Sequence, residues 1–162
     1  MNHAQAVLMK GMKMVRIYID NGVDISWLTL SHYFSYISFY QHPYDKGSRP
    51  KKLRYSLAKP AGATWKDMNT NWNETTITWQ ETAQIAIHDA VGNIIGKANN
   101  RNDILHVISA VSTNCDIFIT NDKANISSKS SELESICGLK IFYQEEKPAI
   151  IKHIKKMIGV DV

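Results

Sequence analysis

Three aspartates occupy positions from which their side chains can reach the edge of a folded sheet. Asp20 directly follows the apolar run Val15–Ile19, Asp122 lies two residues beyond the run 116–120, and Asp103 opens a segment with helical apolar spacing. In α/β folds, ligands and metals bind at the carboxyl ends of the strands. Three carboxylates in one pocket raise one another's pKa unless a cation neutralises them, and Mg²⁺ or Mn²⁺ prefers such hard oxygen ligands. The pattern therefore predicts a metal site.

Each of these aspartates also has a purely structural interpretation, because Asp caps helices and shapes turns. Asp103 can serve the first turn of its helix, and Asp122 can shape a turn together with Asn121. Two further aspartates are weaker candidates for the site. Asp24 is placed to cap a helix, and Asp116 begins its strand at the opposite end of the sheet.

His106 follows Asp103 by about one helical turn, so the two side chains share a helix face. It can orient a carboxylate, contact a phosphate or ligate a metal, and the first of these roles is the commonest for such a histidine. Thr120 and Asn121 precede Asp122 and can hydrogen-bond it or a water on the ion.

The elements that must position these residues alternate between strands and helices. Strands are predicted at Val15–Ile19, at 36–40, in the run before Asp122 and at 139–143. Helices are predicted at 24–34, 81–97, 103–113 and 147–158. Ser131 and Glu134 form a capping-box pattern that opens a short helix closed by Gly138. The alternation predicts an α/β fold with three α/β/α layers and a mainly parallel central sheet, whose shared edge brings the aspartates together.

The order of these motifs resembles the PIN domain, a metal-dependent nuclease fold. The strand that ends in Asp20 is similar to the opening strand of that family. Residues 99–143 resemble its C-terminal half, in which an aspartate opens a helix and the next strand ends in Thr-x-Asp. The resemblance implies a single PIN-like domain over residues 1–162. It also implies that Asp20, Asp103 and Asp122 are catalytic residues that ligate Mg²⁺ or Mn²⁺.

PIN domains usually supply a further acid, often Glu, from the middle of the chain. The stretch from Trp65 to Glu74 resembles a Trp-rich segment of bacterial PIN-like proteins, which favours Glu74 as the fourth catalytic acid. Glu81, at the start of the next helix, is the alternative. The structural interpretation makes Glu74 a solvated loop residue and Glu81 a helix cap.

Residues 44–80 show no clear period and are predicted to form an irregular insertion, a kind of segment that is often functional. Positions 46–66 hold seven of the chain's nineteen basic residues and no acid, with Tyr55 and Trp65 interleaved. Positive charge follows a phosphate backbone, and aromatic faces stack on unpaired bases. The predicted nucleic-acid-binding residues are Arg49, Lys51, Lys52, Arg54 and Lys59. The alternative is a solvated basic loop whose tryptophans fold back into the core.

Composition sets broad limits on the protein's class. A chain of 162 residues with 44% hydrophobic and 21% charged residues fits one ordinary domain, and its net charge is only +4. No apolar run approaches 18 residues, so no membrane span is expected, and no secretion signal is evident. Cys115 and Cys137 have no metal-ligand spacing and are predicted to be buried free thiols, as in a cytoplasmic protein.

The resemblance implies a metal-dependent ribonuclease, with RNA favoured over DNA, of the kind that often acts as a toxin held by an antitoxin-like protein. PIN-like proteins often form homodimers, although no apolar stripe here requires one. Two alternatives stay open: a degenerate PIN-like module that binds nucleic acid without cutting it, and a protein-interaction domain with a vestigial pocket. A phosphoryl-transfer domain using Asp20 as nucleophile would need a second acid where Gly22 stands.

Overall fold

The computed structural model of the protein describes residues 13–42, 56–57, 79–96 and 100–160. Strands and helices alternate through most of these ranges, as the sequence predicts. In chain order the elements are β1 (Val15–Ile19), α1 (Ser26–Thr29), β2 (Ile37–Gln41), β3 (Ser56–Leu57), α2 (Trp79–Ile95), α3 (Arg101–Ser112), β4 (Ile117–Thr120), α4 (Ser130–Cys137), β5 (Lys140–Tyr143) and α5 (Lys147–Ile158).

The five described strands form one sheet in the order β3-β2-β1-β4-β5, and all the pairs are parallel. In the central pair, Ile17 of β1 lies beside Ile117 of β4. Because the two strands run in the same direction, their carboxyl ends meet at one edge of the sheet. There the backbone N–H of Asp20 donates to the carbonyl of Ile119 at 3.0 Å, which fixes the first aspartate against the end of β4.

Helices cover both faces of this sheet, so the predicted three-layer α/β/α arrangement is confirmed. On one face, Tyr18 and Phe118 stack with their ring centroids 5.0 Å apart and share a buried core with Val91 of α2, Val107 of α3 and Leu133 of α4. A parallel sheet of this kind is buried on both sides, which explains the apolar runs Ile17–Ile19 of β1 and Ile117–Ile119 of β4.

The opposite face packs against α1 and α5. Ile17 and Ile119 alternate with the residues that face the first core, and they contact a second core that includes Leu28, Ile150 and Ile154. Helix α5 begins and ends as the sequence predicts, with Pro148 in its first turn and Gly159 following in a left-handed conformation. Within the described ranges, no helix is long and apolar enough to cross a membrane.

The predicted helix at 24–34 is wrong in its extent. Only Ser26–Thr29 is α-helical, and a 3-10 turn occupies Phe34–Tyr36 before β2 begins. The Thr29 hydroxyl donates to the Ser26 carbonyl at 2.6 Å, and the N–H of Ser31 bonds to the carbonyl of Leu28, only three residues back. Short polar side chains thus compete for the helical hydrogen bonds and tighten the chain into turns.

The boundaries of two other predicted segments differ from those in the structure. The prediction that residues 44–80 lack regular structure is wrong at Ser56–Leu57, which pair with the end of β2, and at 79–80, which open α2. A two-residue strand is too short to show a period, so the sequence pattern does not reveal it. Helix α3 begins two residues earlier than predicted, which leaves Asp103 within its first turn.

The predicted capping box at Ser131 and Glu134 does not form. Helix α4 begins at Ser130, and its N-cap residue, Lys129, makes no side-chain capping hydrogen bond. Gly138 does end the helix in a left-handed conformation, as predicted, with φ of 67°.

Glu134 is used instead by the edge strand β5. The backbone N–H of Ile141 donates to Glu134 at 2.9 Å, and that of Tyr143 donates to Glu146 at 2.7 Å. Both N–H groups point away from β4, where a sixth strand would pair. Glu134 also forms an ion pair with Lys140 at 2.6 Å. Two carboxylates therefore satisfy the outward backbone donors of β5.

Candidate functional site

The three predicted aspartates line one open cavity at the carboxyl edge of the sheet. Asp20 follows β1, Asp103 lies in the first turn of α3, and Asp122 lies two residues beyond β4. The cavity has a volume of about 450 Å³. Its other lining residues are Asn21, His42, Asn102, Leu105, His106 and Asn121. The fold thus brings together three acids that are far apart in the sequence.

Two hydrogen bonds hold the carboxylate of Asp20. The hydroxyl of Thr120, which is completely buried, donates to Asp20 Oδ2 at 2.6 Å. The backbone N–H of Asn21 donates to Asp20 Oδ1 at 2.8 Å. The side chain of Asp20 is only 10% exposed, so these bonds set the direction in which its carboxylate faces the cavity.

His106 lies beside the carboxylate of Asp20. Its Nδ1 atom lies 3.4 Å from Asp20 Oδ1 and 2.9 Å from the hydroxyl of Tyr18. The ring of His42 lies 5.1 Å from the ring of His106, measured between centroids. Sequence reasoning missed both Tyr18 and His42. The available signal for Tyr18 is a hydroxyl in the middle of a fully buried strand, where it needs a partner.

Asp122 lies in a tight turn that fixes its carboxylate. Its Oδ1 atom accepts hydrogen bonds from the backbone N–H groups of Ala124 at 2.9 Å and Asn125 at 2.8 Å. Its own N–H donates to Thr120 Oγ1 at 2.9 Å, so one threonine hydroxyl links Asp20 to Asp122. The turn-shaping role and the cavity-lining role of Asp122 therefore occur together, with Oδ1 used by the turn.

Asn125 is a further residue of the site that the sequence did not indicate. Its amide nitrogen, Nδ2, lies 3.2 Å from Asp103 Oδ2 and 3.1 Å from Asp122 Oδ2, so it donates to both carboxylates. The only sequence signal is an amide side chain three residues after Asp122. That spacing is common in turns and does not by itself indicate a site.

The charges in the cavity interact unfavourably. The pKa of Asp103 is raised, first by burial and then by repulsion from Asp122 and Asp20, while the Asn125 hydrogen bond and His106 act in the opposite direction. In the parts of the chain that the structure describes, no Lys or Arg forms an ion pair with Asp103 or Asp122. A bound cation would relieve this repulsion.

The donor chemistry of the site fits Mg²⁺ or Mn²⁺, since both prefer carboxylate and carbonyl oxygens. The grouping of the side chains is less favourable for a metal ion. Among the described residues, no three His, Cys, Asp or Glu side chains are grouped so that they could hold a metal ion. Asn125 lies between two of the three acids instead. The described core of the site is therefore two carboxylates joined by an amide, with Asp20 beside them.

The turn after Asp20 requires a glycine. Gly22 has a φ of 77°, and a Cβ atom added to it would lie 2.9 Å from Asn121 Nδ2. A larger residue would be strained and would push the Asn121 side chain, which lines the cavity. Gly22 thus permits the close approach of the two loops that follow β1 and β4.

The two weaker candidates do not line the cavity. The predicted helix-capping role of Asp24 is wrong, because the N-cap residue of α1 is Ile25 and α1 has no side-chain capping hydrogen bond. Asp24 accepts hydrogen bonds from the backbone N–H and hydroxyl of Ser26, and these bonds lower its pKa. Asp116 lies at the amino end of β4, where it pairs with Lys13 at 2.8 Å.

The remaining predicted site residues lie outside the described residues. They are Glu74, Arg49, Lys51, Lys52, Arg54 and Lys59.

The two cysteines are free thiols, buried at Cys115 and half-buried at Cys137. Burial raises the pKa of Cys115 to about 12 and that of Cys137 to about 11. Because the thiolate is the reactive form, neither is suited to nucleophilic chemistry.

Comparison with protein-family models, with curated proteins and with solved structures finds no match for this chain. Its function is therefore inferred from the geometry of the acidic cavity and from the sequence motifs.

Proposed function

We propose that the protein is a metal-dependent nuclease that hydrolyses phosphodiester bonds, with RNA as the substrate. The observation that carries this proposal is the convergence of Asp20, Asp103 and Asp122 on one open cavity at the carboxyl edge of a parallel sheet. Burial, together with repulsion from Asp122 and Asp20, raises the pKa of Asp103, and such perturbed carboxylates are common at functional sites.

The chain's own residues would hold and orient the ion. A bound Mg²⁺ or Mn²⁺ would neutralise the carboxylates and act as a Lewis acid on a phosphodiester. Thr120 holds the Asp20 carboxylate, and His106 lies beside it. The turn after β4 uses Asp122 Oδ1, so Asp122 Oδ2 faces the Asn125 amide. Such support keeps the ligands close to one geometry, which lowers the reorganisation needed when the ion binds.

The choice of RNA rests on the resemblance to PIN domains and on the basic segment. Arg49, Lys51, Lys52, Arg54 and Lys59 would attract a phosphate backbone towards a cavity that otherwise repels it. Glu74 remains the proposed fourth acid. An antitoxin-like protein partner and a homodimer belong to the same proposal, and so does a cytoplasmic location, which the free thiols support.

The test is Mn²⁺ titration calorimetry on the wild type, on Asp103→Asn and on a control, Asp116→Asn. The control makes the same charge change at the opposite edge of the sheet. We expect one or two Mn²⁺ sites in the wild type and in Asp116→Asn, and loss of binding in Asp103→Asn. Hydrolysis of single-stranded RNA should follow the same order and stop when EDTA is added. A folded wild type that binds no Mn²⁺ would contradict the proposal.

A second candidate function is favoured by one observation, the Asn125 amide that lies between Asp103 and Asp122. A site closed by an amide could belong to a degenerate module that binds RNA without cutting it. Salt-sensitive RNA binding by a wild type that neither binds Mn²⁺ nor hydrolyses RNA would support this alternative.

A further inference from the structure

A band of apolar residues and lysines crosses the face of the molecule that carries α1 and α5. We call it the α1–α5 surface, and it consists of two rows of three residues, Trp27, Leu30 and Tyr33 from α1 and the turns after it, and Lys147, Ile151 and Lys155 from α5. We propose that this surface binds an acidic amphipathic helix of another protein. The inference goes beyond the proposed function and does not depend on a metal ion.

The two rows lie side by side, because a lysine of one row covers an aromatic ring of the other at each end. The ammonium nitrogen of Lys147 lies 5.9 Å from the ring centroid of Trp27, and that of Lys155 lies 5.7 Å from the ring centroid of Tyr33. Residues four apart in a helix share a face, so Ile151 lies between the two lysines. The contacts at the two ends therefore fix the width and the direction of the surface.

Leu30 occupies the centre of the other row. The backbone N–H groups of Ser31 and Phe34 each donate to the carbonyl three residues back, so residues three apart in this segment lie on one side. Leu30 is three residues from both Trp27 and Tyr33 and thus lies between the two rings. It is 86% exposed, more than any other large apolar side chain that the structure describes. An exposed apolar residue therefore lies between two positive charges.

The charge of this surface has one sign. Residues 25–42 contain no Asp, Glu, Lys or Arg, and residues 147–158 contain four lysines and no acid. In the part of the chain that the structure describes, no acid forms an ion pair with Lys147 or Lys155. Asp24 lies near the Lys147 end, but its carboxylate is bonded to Ser26. A second copy of the chain would set lysines against lysines, so charge complementarity favours an acidic partner.

The spacing of the lysines indicates a helical partner. Lys147 and Lys155 lie about 12 Å apart along α5, because an α-helix rises about 1.5 Å per residue. A partner helix with two glutamates about two turns apart would place one carboxylate beside each lysine. A leucine midway between those glutamates would then contact Leu30 and Ile151. Apolar anchors at helical spacing are a common means by which amphipathic helices dock on proteins.

The apolar centre favours a protein partner over RNA or a lipid surface. A phosphate backbone follows positive charge and gains nothing from Leu30 and Ile151. A bilayer would gain little apolar contact, because Leu30 projects while Trp27 is half-buried. The indole N–H of Trp27 also donates to the carbonyl of Asp24 at 3.0 Å, which holds the ring against the fold.

The test measures the fluorescence anisotropy of a labelled helical peptide, with EDTA present so that metal binding plays no part. The peptide has about 20 residues of mainly alanine and glutamine, a length at which such helices form in water. It carries leucine with glutamate four residues before and four residues after it. One control peptide replaces each glutamate by glutamine, and another replaces the leucine by glutamine. We expect saturable binding of the first peptide and binding at least about tenfold weaker for both controls.

Variants of the protein locate the binding. Leu30→Gln should weaken peptide binding about tenfold, because it removes the central apolar contact. Lys155→Gln should weaken it about threefold and reduce its dependence on salt. The matched controls are Ile136→Gln, at a 39% exposed residue of α4, and Lys156→Gln, which lies about 100° further around α5. Both controls should bind the peptide like the wild type, and circular dichroism checks that each variant is folded.

A wild type that shows no saturable binding of the acidic peptide would overturn the inference, as would equal weakening in Leu30→Gln and Ile136→Gln. Three further measurements on the same variants identify other occupants: sedimentation with phosphatidylserine vesicles, binding of single-stranded RNA, and analytical ultracentrifugation. If the peptide does not bind and Leu30→Gln abolishes one of these associations, the occupant is a lipid surface, RNA or a second copy, and the inference is wrong. None of these outcomes changes the expectation for Mn²⁺ at the acidic cavity, so the two proposals fail independently.

Discussion

The two ends of strand β4 place the same residue type in opposite electrostatic settings. At the amino end, Asp116 accepts a hydrogen bond from the Arg16 N–H at 2.9 Å and pairs with Lys13 at 2.8 Å. At the carboxyl end, Asp122 and Asp103 share a cavity and an amide, and no described Lys or Arg pairs with either. Among the described residues, the chain thus supplies a cation to the aspartate at one end of β4 and none to the aspartates at the other. This difference separates an aspartate paired within the fold from aspartates that line a cavity.

The largest predicted difference between the two ends of β4 is in RNA hydrolysis. Asp122→Asn keeps an oxygen for the turn but removes a negative ligand, so RNA hydrolysis should fall on the order of 100-fold. Asp116→Asn should keep its activity and lose about 1 kcal/mol of unfolding free energy, because it weakens one ion pair and one hydrogen bond. Activity assays and denaturant unfolding measure the two effects. Equal losses of activity in both variants would remove the distinction between the two ends.

Two glycine variants test whether backbone conformation beside the cavity affects Mn²⁺ binding. Gly22→Ala should lose about 1–2 kcal/mol of unfolding free energy and weaken Mn²⁺ binding, because it combines a positive φ with a contact against Asn121. Gly138→Ala has a similar positive φ and no heavy atom within 4 Å of the added Cβ. It should therefore destabilise the fold through strain alone and leave Mn²⁺ binding unchanged. If both variants bind Mn²⁺ equally, the Gly22 turn does not shape the cavity.

Removing one charge from the cavity should stabilise the protein when divalent ions are absent. Folding raises the pKa of Asp103, so the folded state holds that proton more tightly and loses stability as the pH rises above about 3.8 through the raised value. Asp103→Asn lacks this penalty, and its Tm at pH 7 in EDTA should exceed that of the wild type by about 2 °C. The excess should shrink as the pH falls towards 4. A lower Tm in EDTA would mean that Asp103 is paired like Asp116.

The smallest expected effect is the pH dependence of stability that His153 causes. Its sign is opposite to that of Asp103, because His153 reduces stability as the pH falls. Burial, with repulsion from Lys140 and Lys156, lowers the pKa of His153, while Glu134 and Asp116 act in the other direction. The folded state therefore binds this proton less readily than the unfolded state, and its contribution to stability is lost as the pH falls below about 6.5.

Replacing His153 by Gln should remove that dependence. The Tm of the wild type relative to His153→Gln should fall by about 1 °C between pH 7 and pH 5. Thermal unfolding of both proteins across this range measures the difference, and a constant difference would contradict the prediction.

The features that the sequence predicts are those that depend on local pattern. The apolar run of β1, the run of β4 and the period of α3 predict a parallel sheet, and the polar residue at the end of each element predicts where Asp20, Asp103 and Asp122 converge. Helix α5 is predicted at 147–158 and observed at Lys147–Ile158, with Pro148 in its first turn. These signals lie within a few positions of the feature that they specify.

The features that the sequence does not predict depend on which polar atoms meet after folding. Asn125 reaches Asp103 across 22 residues, and Tyr18 reaches His106 across 88. No local spacing indicates either contact. The capping-box prediction for Glu134 is wrong for the same reason, since a strand that follows α4 competes for its carboxylate.

The two glutamates that accept hydrogen bonds from β5, Glu134 of α4 and Glu146 before α5, also restrict how copies of this protein can associate. A strand from a second molecule would need the outward N–H groups of Ile141 and Tyr143, and both are already bonded to Glu134 and Glu146. Joining two sheets through this edge, or extending them into a fibril, would first have to displace two carboxylates from their donors. The β5 edge is thus protected against polymerisation, and any dimer of this chain is expected to form through another surface.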